Sequence, residues 1–438
     1  MKGSALWLWL MISLCCIAMA GCDRLSTPVG DVPGPSPTSP SSTEIVSPVL
    51  NVTQVPVLEA TRPASAWTLT VWLPPNFSQG DESLAGAMML ARLRAFDEQH
   101  PEFQIETRIK ALEGPGGLLD SLTTASVAAP LALPDLVALP RPLLETAALK
   151  GLVYPLDDLT AEDSSDWFEY ARALSSLQSS RFGLPFAGDA LLLVARQQPD
   201  YVIPTDWDML FSDQRILTFP ASDADGLFPL LLYQAVGGDI VDDQGRPALV
   251  LEPFTRVLLF FQSAAQAGIM PFWLTQYESW TQAWQDFQGQ KETMTITWAS
   301  NYFLNEDQAL QAGLIPLPAG TPSFSLATGW VWALANPQPE RRQMSLLLAE
   351  YLLEEDFLAR WTQAAGLLPT SERVLRAWND ETDQQLAELL VQSAVLYPSA
   401  DVLSSLGPVL RQATIAILKQ ETDPVSAAQD AVNRLQNP

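Results

Sequence analysis

Between residues 68 and 150 the apolar pattern switches repeatedly between strand-like and helix-like spacing, and a chain that does this is confined to layered α/β architectures. Residues 68–73 (TLTVWL) form a short β-rich run. Residues 81–100 place Leu84, Met88, Ala91 and Ala95 at helical spacing, and Pro101 ends the pattern. Phe103, Ile105, Thr107 and Ile109 then alternate as in a strand. The pattern predicts a helix over 118–129, a buried strand over 133–139 (LPDLVAL) and a helix over 143–150 that stops at Gly151. Strand–helix–strand order of this kind implies a mostly parallel sheet. Further helices are expected at 227–236, 255–267, 279–288, 342–353 and 402–419, with short strands at 191–194, 293–298 and 329–334.

The first 66 residues obey other rules. Lys2 precedes an apolar run from Ala5 to Met19 that is too short and wrongly flanked for a spanning helix, so residues 1–21 read as an export leader. The sequence Met19-Ala20-Gly21-Cys22 resembles a lipobox, which implies cleavage before Cys22 and its acylation, with the mature chain at the outer face of the cell membrane. Cys15 and Cys16 leave with the leader, so the mature chain has no disulfide and no cysteine nucleophile. Residues 22–66 are rich in Pro, Ser and Thr, a composition that keeps about 40 residues extended and makes them a tether.

From Trp67 the composition is globular, and roughly 370 residues exceed what a single core serves, so two lobes are expected. The formal charge of −26 argues against nucleic acid, whose phosphates need basic partners. Catalysis finds little footing. His100 is the single histidine, and its place beside Pro101 suits a solvated helix end. A His-based metal site is thereby excluded, there is no GxSxG elbow and no GxxxxGK[ST] loop, and no cofactor is called for. Paired carboxylates stay open as an accident of 50 acidic residues.

Several short segments, in order, resemble the family 1 extracellular solute-binding proteins, the maltose-binding-protein-like receptors of ABC importers. They are LTVW, AFDEQHPEFQIE, LPDLVAL, LKGLVYPLDDL, RFGLPFAGDALLLVAR, TDWDMLF, AVGGDIVDDQG, WQDFQGQKETMTITWASNY, TGWVWALA and AAGLLPT. The resemblance spans nearly the whole mature domain. It implies a two-lobe periplasmic-binding-protein-like α/β fold of type II, each lobe a mostly parallel sheet flanked by helices, with a ligand cleft between lobes. Lobe I would hold 67–187 and 328–366, lobe II 188–327 and 367–438, the chain crossing near 186–189, 328 and 366–369. It also implies a monomer that closes on a small solute, most naturally a mono- or oligosaccharide, and hands it to ABC permease transmembrane subunits. A peptide, polyamine or other compatible solute stays open, as does a scaffold or adhesin with a degenerate cleft.

The same resemblance nominates six ligand-binding residues. Asn76 follows the first strand, Arg141 follows LPDLVAL, Asp189 follows PFAG, and Asp225 precedes the helix leading to Gly237-Gly238. Trp298 ends TMTITW and Trp330 stands in TGW, both as aromatic platforms. Each has a plainer role: a core anchor for Trp298, a turn or helix cap for Asp189 and Asp225, and a solvated loop charge for Arg141 between Pro140 and Pro142. Trp332 is expected to face the other side of the strand from Trp330, one of the pair being packed, while Trp280 and Trp284 read as a packed helical stripe. The prolines after LPDLVAL and the uncharged PPNF loop depart from the sugar-receptor pattern and leave the particular solute open.

Overall fold

The computed structural model of the chain describes residues 67–77, 83–157, 164–290, 293–305 and 309–436; the expected leader, Cys22 and tether lie outside them. The strands among the described residues are β1 (Trp67–Leu73), β2 (Phe103–Ile109), β3 (Leu136–Pro140), β4 (Ser176–Leu177), β5 (Ser180–Arg181), β6 (Leu184–Arg196), β7 (Ile216–Thr218), β8 (Thr293–Trp298), β9 (Leu310–Gly313), β10 (Ser325–Leu334) and β11 (Ala394–Leu396). One sheet runs β2-β1-β3-β10-β6-β8-β7, with β11 on β10 and β9 on β6; β4 and β5 pair separately.

Parallel pairing joins β1 to β2 and β3, β7 to β8, and β10 to β11. The two long strands β6 and β10 run antiparallel to each other; β10 is also antiparallel to β3, and β6 to β8 and β9. Parallel units thus lie toward either end of a sheet whose middle is two long strands shared by both.

Sequence pattern explains the length of β6. Its thirteen residues LPFAGDALLLVAR are buried up to Ala195, the near-continuous apolar run of a strand covered on both faces. Alternation then divides it: Leu191, Leu193 and Ala195 enter one hydrophobic cluster with Phe219, Phe254 and Phe261, while Leu192 and Val194 enter another with Phe186, Trp332 and Trp361. The strand expected at 191–194 is thus the C-terminal part of a longer one that begins at Leu184. Pro185 is tolerated because it stands opposite Val331, where the register with β10 shifts and no ladder N–H is required.

A second difference concerns Arg141. The prolines on either side suggested a loop, but Arg141 opens a helix, Arg141–Leu149, with Pro142 in its first turn, where a proline has no N–H to waste. Helix Leu84–Gln99 starts three residues later than expected, where the Ser83 side chain accepts from the Gly86 N–H.

The three segments at which crossings are expected, far apart in sequence, lie side by side. Asp189 stands opposite Thr328, and Gly188 and Leu368 exchange backbone hydrogen bonds of 2.8 and 2.7 Å. Space there is short. A Cβ on Gly188 would lie 2.4 Å from the Tyr170 hydroxyl, and one on Gly329 would lie 2.4 Å from the Ala187 carbonyl oxygen, so both strands need glycine for this approach.

Candidate functional site

Trp298 ends β8 opposite Leu191 of β6, two residues beyond Asp189. Its indole is half-buried, and Trp280 meets it edge-on with centroids 6.1 Å apart and planes at 64°. Trp280 and Trp284, four apart on helix Trp280–Gly289, do not form one stripe: Trp284 is buried against Phe287, whereas Trp280 turns to Trp298.

The short helix Ala299–Phe303 begins directly after Trp298, and Asp189 supplies its missing cap from β6. Asp189 Oδ1 accepts from the Ser300 N–H at 3.1 Å and from the Ala190 N–H at 3.0 Å, and Oδ2 accepts from the Ser300 hydroxyl at 2.6 Å. Burial pushes this carboxyl up to about 7, against the downward pull of its bonds from Ser300, Ala190 and Ala299. Asp189 therefore takes the capping role that was its plainer reading.

Trp330 lies on β10 opposite Pro140 of β3 and Ala187 of β6, half-buried, with Phe77 edge-on at 4.6 Å. Trp332 is 1% exposed and stacks on Phe186 at 4.6 Å. The expectation that the two indoles face opposite sides fails: both meet the same aromatic group, since Phe77 also touches Phe186, as residues two apart on a strand do. Asn76, adjacent to Phe77 in the turn Pro75–Phe77, is exposed.

Arg141 is no loop charge. It is 8% exposed, its Nε donates to Glu145 at 2.8 Å, and its Nη1 donates to the carbonyls of Ala173, Leu174 and Ser176 at 2.5, 2.9 and 2.8 Å. It thus fixes the C-terminal end of helix Glu169–Ser175, a committed cation. Asp225 is exposed, and it is Asp223 whose carboxylate caps helix Leu227–Ala235 through the Leu227 N–H at 3.0 Å. Loss of hydration raises the Asp225 carboxyl, where helix Ala400–Leu418 approaches at Gly407.

Tyr397, which carried no signal in the sequence, links these groups. Burial pushes its hydroxyl up to about 12 against a hydrogen bond with Thr328, and the charges of Asp225, Glu145 and Arg141 all reach it. Glu145 Oε2 also accepts the Ala400 N–H at 3.3 Å. A cavity of about 390 Å³ opens beside this cluster, lined by Arg141, Glu145, Gln178, Phe182, Ser399 and Asp401 among others. Among the described residues no three His, Cys, Asp or Glu side chains gather to hold a metal, and no helix is long and apolar enough to cross a membrane. Around β6 and β10 the structure thus gathers two half-buried indoles, Trp298 and Trp330, the Asp189 carboxyl bonded to Ser300 and Ala190, and Arg141 bonded to Glu145.

No match is found among curated protein sequences. Solved structures do match. The maltose-bound MalE3 of T. maritima is 18% identical, with a TM-score of 0.65 over 85% of this chain and 99% of that one. The sugar-binding protein MalE of Xanthomonas citri is 17% identical, with a TM-score of 0.69 over 84% and 96%. The cyclic α-maltosyl-1,6-maltose binding protein of Arthrobacter globiformis is 14% identical, with a TM-score of 0.69 over 84% and 99%. At such identities the likeness shows the fold, that of the maltose-binding-protein-like receptors. A family model described as bacterial extracellular solute-binding protein matches residues 91–387, most of the folded part. The chain belongs to the bacterial extracellular solute-binding proteins.

Proposed function

We propose that this chain is the receptor of an ABC importer, held at the outer face of the membrane by acylation of Cys22, and that it clasps a small neutral solute of the carbohydrate class and releases it unchanged. The observation that carries the reading is the meeting of three chain crossings at Gly188–Asp189, Thr328 and Leu368, flanked by the half-buried Trp298 and Trp330. Few strands to bend and two aromatic faces at their edge suit a hinge that closes over the apolar face of a sugar ring. Lobe I would take 67–187 and 328–366, lobe II 188–327 and 367–438. Trp298 and Trp330 serve as stacking faces, Asn76 and Asp225 as hydrogen-bonding groups at the rim, and the receptor works as a monomer. Structural neighbours described as bound to maltose, ribitol and α-D-tagatose support a polyhydroxylated solute.

Thermal melts and tryptophan fluorescence across a library of mono- and oligosaccharides, polyols, peptides and polyamines test this. One sugar or polyol should raise the melting temperature and perturb the indole signal by mass action, and Trp298→Ala should weaken binding of that compound by about thirtyfold while the protein stays folded, since stacking of an aromatic face contributes on the order of 2 kcal/mol. A peptide or polyamine as the one stabilising compound would replace the solute class, and no response from any compound would favour a scaffold. Labelling with radioactive palmitate, lost in Cys22→Ser, checks the anchor.

A further inference from the structure

Asp189 is an acid in an unusual position. It sits on β6 at the crossing, is 9% exposed, and spends both oxygens on protein donors rather than pointing to open space. The donors it binds belong to the turn that carries Trp298: the Ser300 N–H and hydroxyl lie two residues beyond that indole. An ordinary N-cap comes from the residue before the helix, yet here that residue is Trp298 itself, which offers no capping side chain. The backbone around Trp298 is therefore held from another strand.

We propose that Asp189 is a positioning residue: its carboxylate clamps the Ala299–Phe303 turn to the crossing strand and so sets the attitude of the Trp298 ring, without touching the solute. The clamp depends on charge. A carboxylate accepts strongly from N–H and O–H donors, whereas a carboxylic acid keeps one acceptor and turns its other oxygen into a donor. Protonating Asp189 therefore loosens the turn and frees the indole. The groups facing it favour such a change near neutrality. Tyr170 approaches from helix Glu169–Ser175 and stays a neutral phenol, held high chiefly by burial and then by Asp189 itself, with its hydroxyl donated to the Pro369 carbonyl. Helix Ala299–Phe303 brings only Ser300, and β10 brings Thr328. Asp380 and Asp383 act on Tyr302 of the same short helix. No cation among these groups stabilises the ionised form, which agrees with a carboxyl raised to about 7 by burial.

The clamp can be tested without any solute. Near-ultraviolet circular dichroism and tryptophan fluorescence of the full-length protein are recorded from pH 5 to 9 for the wild type, Asp189→Asn, Ser300→Ala and Trp298→Phe, with thermal melts confirming that each is folded. The wild type should show a transition with a midpoint near 7. It should vanish in Asp189→Asn and lose most of its amplitude in Trp298→Phe. In Ser300→Ala the midpoint should move up by about one pH unit, because a hydrogen bond that favours the ionised form is gone. A flat wild-type profile, or a transition that survives unchanged in Trp298→Phe, overturns the proposal; the latter result assigns the titration to another group such as Asp223. If Asp189→Asn does not fold, the Ser300→Ala shift and the Trp298→Phe amplitude still decide. This inference builds on the proposed platform role of Trp298 only for its bearing on binding, and none of these readouts requires a ligand to be known.

Discussion

Trp330 and Trp298 lie on strands to either side of β6, yet they are held in different ways. Trp330 stands against a knot of rings in which Phe77 touches Trp330, Phe186 and Trp361, and Phe186 stacks on Trp332. Among the described residues Trp298 has one aromatic neighbour, Trp280, and a backbone held by a buried acid. The first arrangement is rigid because close-packed rings leave no alternative position. The second rests on a few polar bonds that respond to protonation. Two tryptophans that look alike in sequence thus belong to a fixed wall and an adjustable one.

Mutation can break that contrast. The largest effect is expected at the knot: Trp332→Ala should cost about 3–5 kcal/mol of unfolding free energy, the range for deleting a buried large aromatic, measured by denaturant melts, and a loss near 1 kcal/mol would show that the wall is not rigid. Arg141→Met should be nearly as costly, about 3–5 kcal/mol, because it strands the Glu145 carboxylate in a buried site and removes a cationic donor from three carbonyls. A small loss there would return Arg141 to a ligand-facing role.

On the adjustable side, pH supplies the sharper test. The folded Asp189 carboxyl is raised to about 7, well above an unfolded carboxylate near 3.9. Its contribution to stability is therefore fully present below about pH 4 and is lost as pH rises through 7. Urea melts from pH 4.5 to 8 should show a steeper fall in stability for the wild type than for Asp189→Asn, with a difference of about 2–4 kcal/mol across the range; parallel curves would remove Asp189 as a buried titrating group. The smallest effect is expected for Trp280→Ala. Losing one edge-on ring contact, worth about 1 kcal/mol, should weaken solute binding roughly fivefold and leave the melting temperature nearly unchanged. A loss as large as that of Trp298→Ala would make Trp280 a contact residue in its own right.

The sequence disclosed the fold well where periodicity was strong. Residues 103–109, 118–129, 227–236 and 293–298 were read within a residue or two of β2, helix Leu118–Ala128, helix Leu227–Ala235 and β8. Helices Glu355–Ala365 and Glu381–Ser393 were passed over, because charged residues at their starts mask apolar stripes that become visible only once Trp361 and Leu390 have a core to enter. The same limit applies to the site. Trp298 and Asp189 could be nominated because each ends a recognisable segment. The partners that define them, Ser300, Trp280 and Tyr397, come from segments 111, 18 and 69 residues away from Asp189, Trp298 and Thr328 respectively. No local pattern encodes such meetings. Arg141 shows the converse: a charge between prolines looked solvated, and only the carbonyls ending helix Glu169–Ser175 reveal why it is buried.

The central claim is that two lobes hinge about the crossing at Gly188–Asp189, Thr328 and Leu368 to enclose a solute against Trp298. The three natural cysteines all lie at or before position 22, so a leaderless chain beginning at Asp23 accepts spin labels cleanly at Val127→Cys and Val425→Cys, both exposed and one in each proposed lobe. Pulsed electron paramagnetic resonance would then report the distance between them with and without the stabilising compound from the solute screen. The account predicts a shorter, narrower distance distribution at saturation, and reversion toward the free distribution when Trp298→Ala is introduced at the same concentration. An unchanged distance at saturating solute would contradict it.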